Sequence, residues 1–329
     1  MRFLIAGFGS IGRRHLRNLR ALGENDLVLL RSHKSTLPDD EIAGLPVETE
    51  IEAALAHRPD AVIISNPTAL HLDVAIPAAR AGCALLMEKP VSHNLERLAE
   101  LKQALKSGGA ELLMGYQFRF HPGLRKVQNW LRKDAIGRPL SFRAQWGEYL
   151  PNWHPWEDYR ASYTARPELG GGVVVTLSHP IDYLRWFFGE VESLWAFSGR
   201  LSDLQVQVED YAETGLRFAN GVAGSLHLDY YQQPPAHTLQ ITGTKGCINW
   251  DSADGKARLY RAETGSWEDI PLPENFDRND LFIAEMKHFI DVTRKEVQPL
   301  CSLADGEADL KICLAIHHSA AGGQLVKFD

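Results

Sequence analysis

The chain has 329 residues, of which 44% are hydrophobic and 23% charged, with a formal net charge of -7 at pH 7. That length predicts two domains of ordinary size, each with enough apolar material for its own core. The acidic balance excludes a basic nucleic-acid surface, and no apolar run is long enough to span a bilayer, so neither nucleic acid nor membrane is expected as a partner.

The first apolar stretch, Phe3-Leu4-Ile5-Ala6, breaks at once into glycines, unlike a signal peptide. Cys83, Cys247, Cys301 and Cys313 are scattered, with no Cys-x-x-Cys pair and no histidine at ligand spacing. They read as reduced thiols of a cytoplasmic protein without a metal site.

Residues 3–6 are apolar on both faces, as a buried parallel strand requires. They run into Gly7, Gly9 and Gly12, and then into a helix where Leu16, Leu19 and Leu22 recur at helical spacing before Gly23 closes it. A second strand covers 26–32. A third, 61–65, ends in Asn66-Pro67, and a helical stretch over 71–82 leads to a fourth strand over 83–90. Strands alternating with helices predict a parallel sheet.

The motif Gly7-x-Gly9-x-x-Gly12, with Ser10 and Ile11 inside it, follows a predicted strand and opens a helix. That setting distinguishes a dinucleotide-binding loop from a plain turn. Gly7 permits the tight turn, Gly9 the approach of a pyrophosphate, and Gly12 close helix–strand packing, while the helix start supplies N–H groups for the anion. An NAD site would place Asp or Glu at the end of the second strand. Here Arg31, Ser32 and Lys34 stand there, a set that suits a 2′-phosphate, so NADP is expected in preference to NAD. A solvated basic loop is the alternative reading of these three.

Beyond a linker near 115–122, strand-like runs cover 140–150, 191–199, 210–218, 221–231, 237–250 and 257–262, separated by Gly, Asn-Gly and Pro breaks. Ala219-Asn220-Gly221-Val222 reads as a hairpin turn. This succession predicts an antiparallel sheet. Residues 146–166 interleave Trp146, Tyr149, Trp153, Trp156, Tyr159 and Tyr163 with His154, Arg160 and Arg166. A flat apolar face beside directional polar groups suits a sugar pocket, with Trp153, Arg160 and Tyr163 as candidate contacts. An oligomer contact is the other reading.

Lys89 ends its strand just before Pro90, which holds the Lys89 backbone extended at the carboxyl end of the sheet, where ligands bind in open α/β folds. A lysine there can hydrogen-bond a substrate oxygen; the other reading pairs it with Glu88. His179 precedes a helical stripe of Ile181, Leu184 and Phe188, with Ser178 as a candidate cap and Pro180 in the first turn. Asp182, three residues on, lies on the same side. An imidazole at a helix mouth is suited to exchanging a proton near neutral pH.

Pro67-x-x-x-His71, Ala81-Gly82, Glu88-Lys89-Pro90, the stretches 115–122 and 170–189, and His179-x-x-Asp182 together resemble the glucose-fructose oxidoreductase/inositol dehydrogenase (Gfo/Idh/MocA) family, over essentially the whole chain. The resemblance implies an N-terminal Rossmann domain with a doubly wound parallel sheet, residues 1–118. A C-terminal α/β domain, residues 119–329, would carry a large open, mostly antiparallel sheet that serves in homo-oligomer contacts of a dimer or tetramer. It implies a dehydrogenase or reductase acting on a hydroxyl or keto group of a sugar, polyol or sugar derivative, with Lys89 and His179 as the catalytic pair. Ser65, Asn66, Pro67, His71 and Glu88 would join the cofactor site, and Arg119 and Asp182 the substrate site. Inositol dehydrogenase-like members carry an Asp four residues before the histidine; here Val175 and then Thr176 stand there. Either Thr176, Asp182 or a more distant acid orients the ring, or His179 contributes less than in those members. A glycosidase using transient oxidation by a held NAD, and a cofactor-binding regulatory protein without turnover, are the competing functions.

Overall fold

Four aliphatic or aromatic side chains in a row, Phe3 to Ala6, leave β1 (Arg2–Ala6) without a polar face beyond its first residue, and the strand accordingly lies inside a sheet with Phe3, Leu4 and Ile5 fully buried. The computed structural model describes residues 1–32 and 40–328, so the Lys34 expectation lies outside the described residues. Five further strands join β1: β2 (Asp26–Leu30), β3 (Val47–Glu48), β4 (Ala61–Ile64), β5 (Ala84–Glu88) and β6 (Leu112–Gly115). All are parallel, in the order β3-β2-β1-β4-β5-β6. The order reverses between β1 and β4, and ligands of such sheets bind outside the carboxyl ends at that reversal. Helices α1 (Ser10–Ala21), α2 (Ile51–Ala56), α3 (His71–Arg80) and α4 (Leu98–Gly108) alternate with the strands.

The second sheet has nine strands. After α5 (Pro122–Arg132) come β7 (Pro139–Gly147), α6 (Val173–Thr176), α7 (His179–Phe188) and β8 (Val191–Gly199). Then follow β9 (Tyr211–Phe218), β10 (Ala223–Asp229), β11 (Ala236–Gly243), β12 (Gly246–Asp251), β13 (Ala257–Arg261) and β14 (Ser266–Ile270). The chain ends with α8 (Asn279–Thr293), α9 (Leu303–Gly322) and β15 (Val326–Lys327). The order is β14-β13-β12-β11-β7-β10-β9-β8-β15, antiparallel throughout except where β10 runs parallel to β7. The run 237–250 is two strands, folded at Thr244-Lys245, and the 219–222 turn joins β9 to β10.

Two compact units result: residues 1–117, 168–170 and 278–310 form one, and 118–167, 171–277 and 311–329 the other. Within the first, Phe289 of α8 packs edge-on against Phe3 at 6.4 Å, and Asn279 donates to Asn18 Oδ1 at 2.8 Å. Within the second, alternation decides the faces: Phe142, Ala144, Trp146, Leu226, Leu228, Leu239 and Ile241 point into the core. Trp195, Phe197 and Trp267 stand exposed on the opposite face.

Candidate active site

The three glycines differ in what demands them. Gly7 has φ +92°, and a Cβ there would fall 2.4 Å from the Asn66 nitrogen; one on Gly12 would fall 2.1 Å from the Gly7 carbonyl oxygen. Packing alone forbids a side chain at both. At Gly9 a Cβ would meet nothing within 4 Å among the described residues, and the backbone is ordinary and extended. Packing among the described residues makes no demand for glycine there. Gly9 also stands at the cap of α1 with no side-chain capping bond and no acid in the first turn. The N–H groups of Ser10, Ile11 and Gly12 are therefore in the part of the helix that lacks intrahelical acceptors.

Ser65 and Asn66 follow β4 at the strand-order reversal. Ser65 donates through Oγ toward the Ala6 and Gly7 carbonyls at 3.1 and 3.0 Å, bracing the loop. Asn66 donates through Nδ2 to Leu70 O at 3.1 Å, and its buried Oδ1 has no partner among the described residues. An orphaned acceptor, an uncapped helix start and open space before Gly9 fit a dinucleotide.

At the end of β2, Arg31 is buried, and its guanidinium lies 5.8 Å from the Phe8 ring, which Arg13 approaches at 4.4 Å from α1. Ser32 is exposed. Glu41, in a short 3-10 turn, accepts from Arg17 Nε at 2.7 Å and lies 3.6 Å from Arg13. Those guanidinium groups, Arg17 foremost, hold its carboxyl below the usual carboxylate range. An acid thus reaches this corner from a segment ten residues beyond Arg31, which inspection of the strand end alone does not reveal.

The residues around Lys89 are pinned on both sides. Glu88 accepts from Nε2 of the fully buried His15 of α1 at 2.8 Å. His71 sets Nδ1 2.9 Å from the Pro90 carbonyl oxygen and Nε2 3.0 Å from that of Asn66, joining the loops after β5 and β4. Burial pushes the His71 pKa down. Pro67 caps the short turn between them, and the Lys89–Pro90 peptide bond is cis. Glu88 and His71, expected in the cofactor site, are each anchored by these bonds. Behind Glu88 lies an acid not anticipated from the sequence. Glu285 of α8 is fully buried in a stripe with Leu281, Phe282, Met286 and Phe289, and neither oxygen has a hydrogen-bond partner among the described residues. Burial, and then the charge of Glu88, push its pKa well above the usual range.

In the second unit, His179 opens α7, buried, with its ring 5.0 Å from Phe118 and 5.5 Å from Trp146. Ser178 does not cap the helix: α6 ends just before it, its backbone is already turned to helical angles, and its hydroxyl makes no capping bond. Asp182 is gripped by Arg119, from Nε at 2.9 Å and a terminal nitrogen at 2.6 Å. Trp146 belongs to the core and not to a pocket loop, because the two-residue period of β7 turns it inward, where it stacks on His237 at 4.3 Å. The following segment is a chain of 3-10 turns. Trp153 meets Tyr230 edge-on at 5.7 Å, Tyr163 starts one of the turns, and Arg160 binds Asp158 and Gln205.

Residues 1–116 match the family model described as oxidoreductase family, NAD-binding Rossmann fold, and residues 124–249 match the GFO/IDH/MocA C-terminal domain. The chain belongs to the Gfo/Idh/MocA family. A 1,5-anhydro-D-fructose reductase of Ensifer adhaerens is 29% identical over 82% of the chain and 80% of its own length. The scyllo-inositol 2-dehydrogenase (NAD(+)) of Bacillus subtilis (strain 168) is 24% identical over 100% of the chain and 96% of its own. A solved levoglucosan dehydrogenase, in complex with NADH and levoglucosan, shares the fold with a TM-score of 0.88 at 22% identity, covering 99% of each chain.

The motif residues of this Gfo/Idh/MocA chain fall into two groups. Gly7, Gly9, Ser65, Asn66, His71 and the Lys89–Pro90 turn are brought together by the first sheet; His179, Asp182 and Arg119 are brought together in the second unit. Among the described residues no cluster of His, Cys, Asp and Glu is arranged to hold a metal ion, and no helix is long and apolar enough to cross a membrane.

Proposed function

We propose that this Gfo/Idh/MocA protein is an NAD(P)-dependent dehydrogenase or reductase of a sugar, polyol or sugar derivative, acting at a hydroxyl or keto carbon. The observation that carries the reading is the open space before Gly9 at an uncapped helix start, beside the orphaned Asn66 Oδ1. When bound, NAD(P) supplies the hydride acceptor or donor. Gly9, Ser10 and Ile11 would hold its pyrophosphate, and Arg31 and Ser32 the 2′-phosphate of NADP, the preferred form. Lys89 holds the substrate oxygen and stabilises negative charge on it, and His179 carries the proton.

The names of the relatives support the carbohydrate class, and Trp153, Tyr163 and Arg160 supply the flat faces and the cation for it. Exposed Trp195, Phe197 and Trp267 on the outer face of the nine-stranded sheet support a homo-oligomer, dimer or tetramer, built on that sheet. The enzyme is placed in the cytoplasm, where thiols such as Cys83 stay reduced.

The test is a panel of sugars, polyols and nucleotide sugars with each nicotinamide, read by absorbance. Net oxidation or reduction of the cofactor is expected. Sugar products without net cofactor change, or cofactor binding with no conversion, would replace this reading with a glycosidase or a regulatory protein.

A further inference from the structure

Three arginines crowd the corner where β2 ends and α1 begins. Arg13 and Arg31 both approach the Phe8 ring, and Arg17 follows Arg13 by one helical turn. The end of this strand is where a Rossmann domain meets the adenosine ribose. Glu41 reaches into the cluster with both oxygens: Oε2 accepts from Arg17 Nε at 2.7 Å, and Oε1 from Arg17 NH2 at 2.5 Å while lying 3.6 Å from Arg13 NH1. Two oxygens set across a guanidinium fork is also the arrangement a phosphate monoester makes with arginine. The Arg13 side chain is 5% exposed and Arg17 64%, so the weight of the interaction with an incoming anion falls on Arg13.

We propose that Glu41 is an internal stand-in for the 2′-phosphate of NADP, competing with it for Arg13 and Arg17 and so setting the ratio of affinities for the two nicotinamide cofactors. The inference rests on the reading of Arg31 as a cofactor residue. An NAD molecule, lacking the phosphate, leaves the Glu41 pairing undisturbed. An NADP molecule must displace it, and the more highly charged phosphate takes the arginines over. Removing the carboxylate charge therefore strengthens NADP binding and leaves NAD binding alone.

The experiment measures binding of NADPH, NADH and 2′-AMP to the full chain by titration calorimetry, for the parent, Glu41→Gln and Glu41→Asp. In Glu41→Gln, NADPH and 2′-AMP should bind about tenfold more tightly, equivalent to about 1.4 kcal/mol, with NADH unchanged. The gain should shrink as salt rises. Glu41→Asp, shorter by one methylene, should move the ratio in the same direction by less. Glu52→Gln, which removes an exposed acid of α2, is the control for net charge. An NADPH-to-NADH ratio that stays at the parent value, as a brace between α1 and the 3-10 turn would leave it, overturns the proposal. So does an equal shift in Glu52→Gln. A parent that prefers NADH would defeat the NADP preference alone, because the shift on removing Glu41 still decides this proposal.

Discussion

Arg119 and Asp182 form a two-point ion pair with side chains 4% and 0% exposed. Removing one partner of such a pair strands a charge in a poorly solvated place. Asp182→Ala should therefore cost about 3–5 kcal/mol of stability in urea unfolding, while Arg119→Met with Asp182→Leu should regain most of it. Intact stability with a raised KM in Asp182→Ala would instead make the pair a substrate contact.

The glycine loop separates packing from binding. Gly9→Ala should keep a melting temperature close to that of the parent, because none of the described residues lies within 4 Å of the added carbon. Its Kd for either nicotinamide should rise by about tenfold or more, equivalent to about 1.4 kcal/mol. Gly12→Ala should lower the melting temperature as well, since its Cβ would strike the Gly7 carbonyl. Calorimetry of both variants, with and without cofactor, decides the point.

Glu285 gives stability a pH dependence of known sign. Its folded pKa is raised by burial and by Glu88, so the folded chain keeps this proton to a higher pH than the unfolded one, whose carboxyl ionises at about 4.3. Below that pH the two states bind the same proton and its contribution is fully present. It is lost as pH rises toward the folded pKa, by up to about 1.4 kcal/mol per unit. Glu285→Gln should match the parent near pH 4.5 and exceed it increasingly toward pH 8 in thermal melts. A difference that does not grow with pH would mean that the carboxyl is ionised in the folded protein.

Lys89 is held between the His15–Glu88 bond and the His71–Pro90 tie. Lys89→Ala should lower kcat by roughly 10²–10⁴-fold with cofactor affinity nearly intact. His179→Ala should lower it less, since the position four residues before it is Val175 and not an acid. Steady-state kinetics beside cofactor titration resolve the two effects, and a Lys89→Ala enzyme turning over at the parent rate would remove the lysine from the chemistry.

What could be read from the residues in advance was local. Gly7, Gly9 and Gly12, the Leu16–Leu19 stripe, Asn66 at a strand end and the Asn220-Gly221 turn express preferences of neighbouring residues, and each falls where its pattern places it. Arg13, Glu41 and Glu285 escaped because their meaning depends on partners brought in by tertiary folding. For Glu285 a signal existed: an acid inside the spacing of Leu281, Phe282, Met286 and Phe289 is out of place on a buried face. The strands β3 and β6 escaped for a different reason. At two and four residues they are too short to establish a period.

Phe3 rests against Phe289, and the unit that begins the chain is completed only by residues 278–310. Domains emerging from a ribosome commonly fold in order, the first one before the second is made. Here the first cannot be completed in that order. Every strand of the parallel sheet leaves the exit tunnel early, yet the wall that α8 provides arrives only after eight of the nine strands of the second sheet have been synthesised. Until then part of the apolar surface around β1 has no native cover. Truncation before residue 278 would leave a permanently open flank on the nucleotide-binding half, though it would delete no residue of the glycine loop.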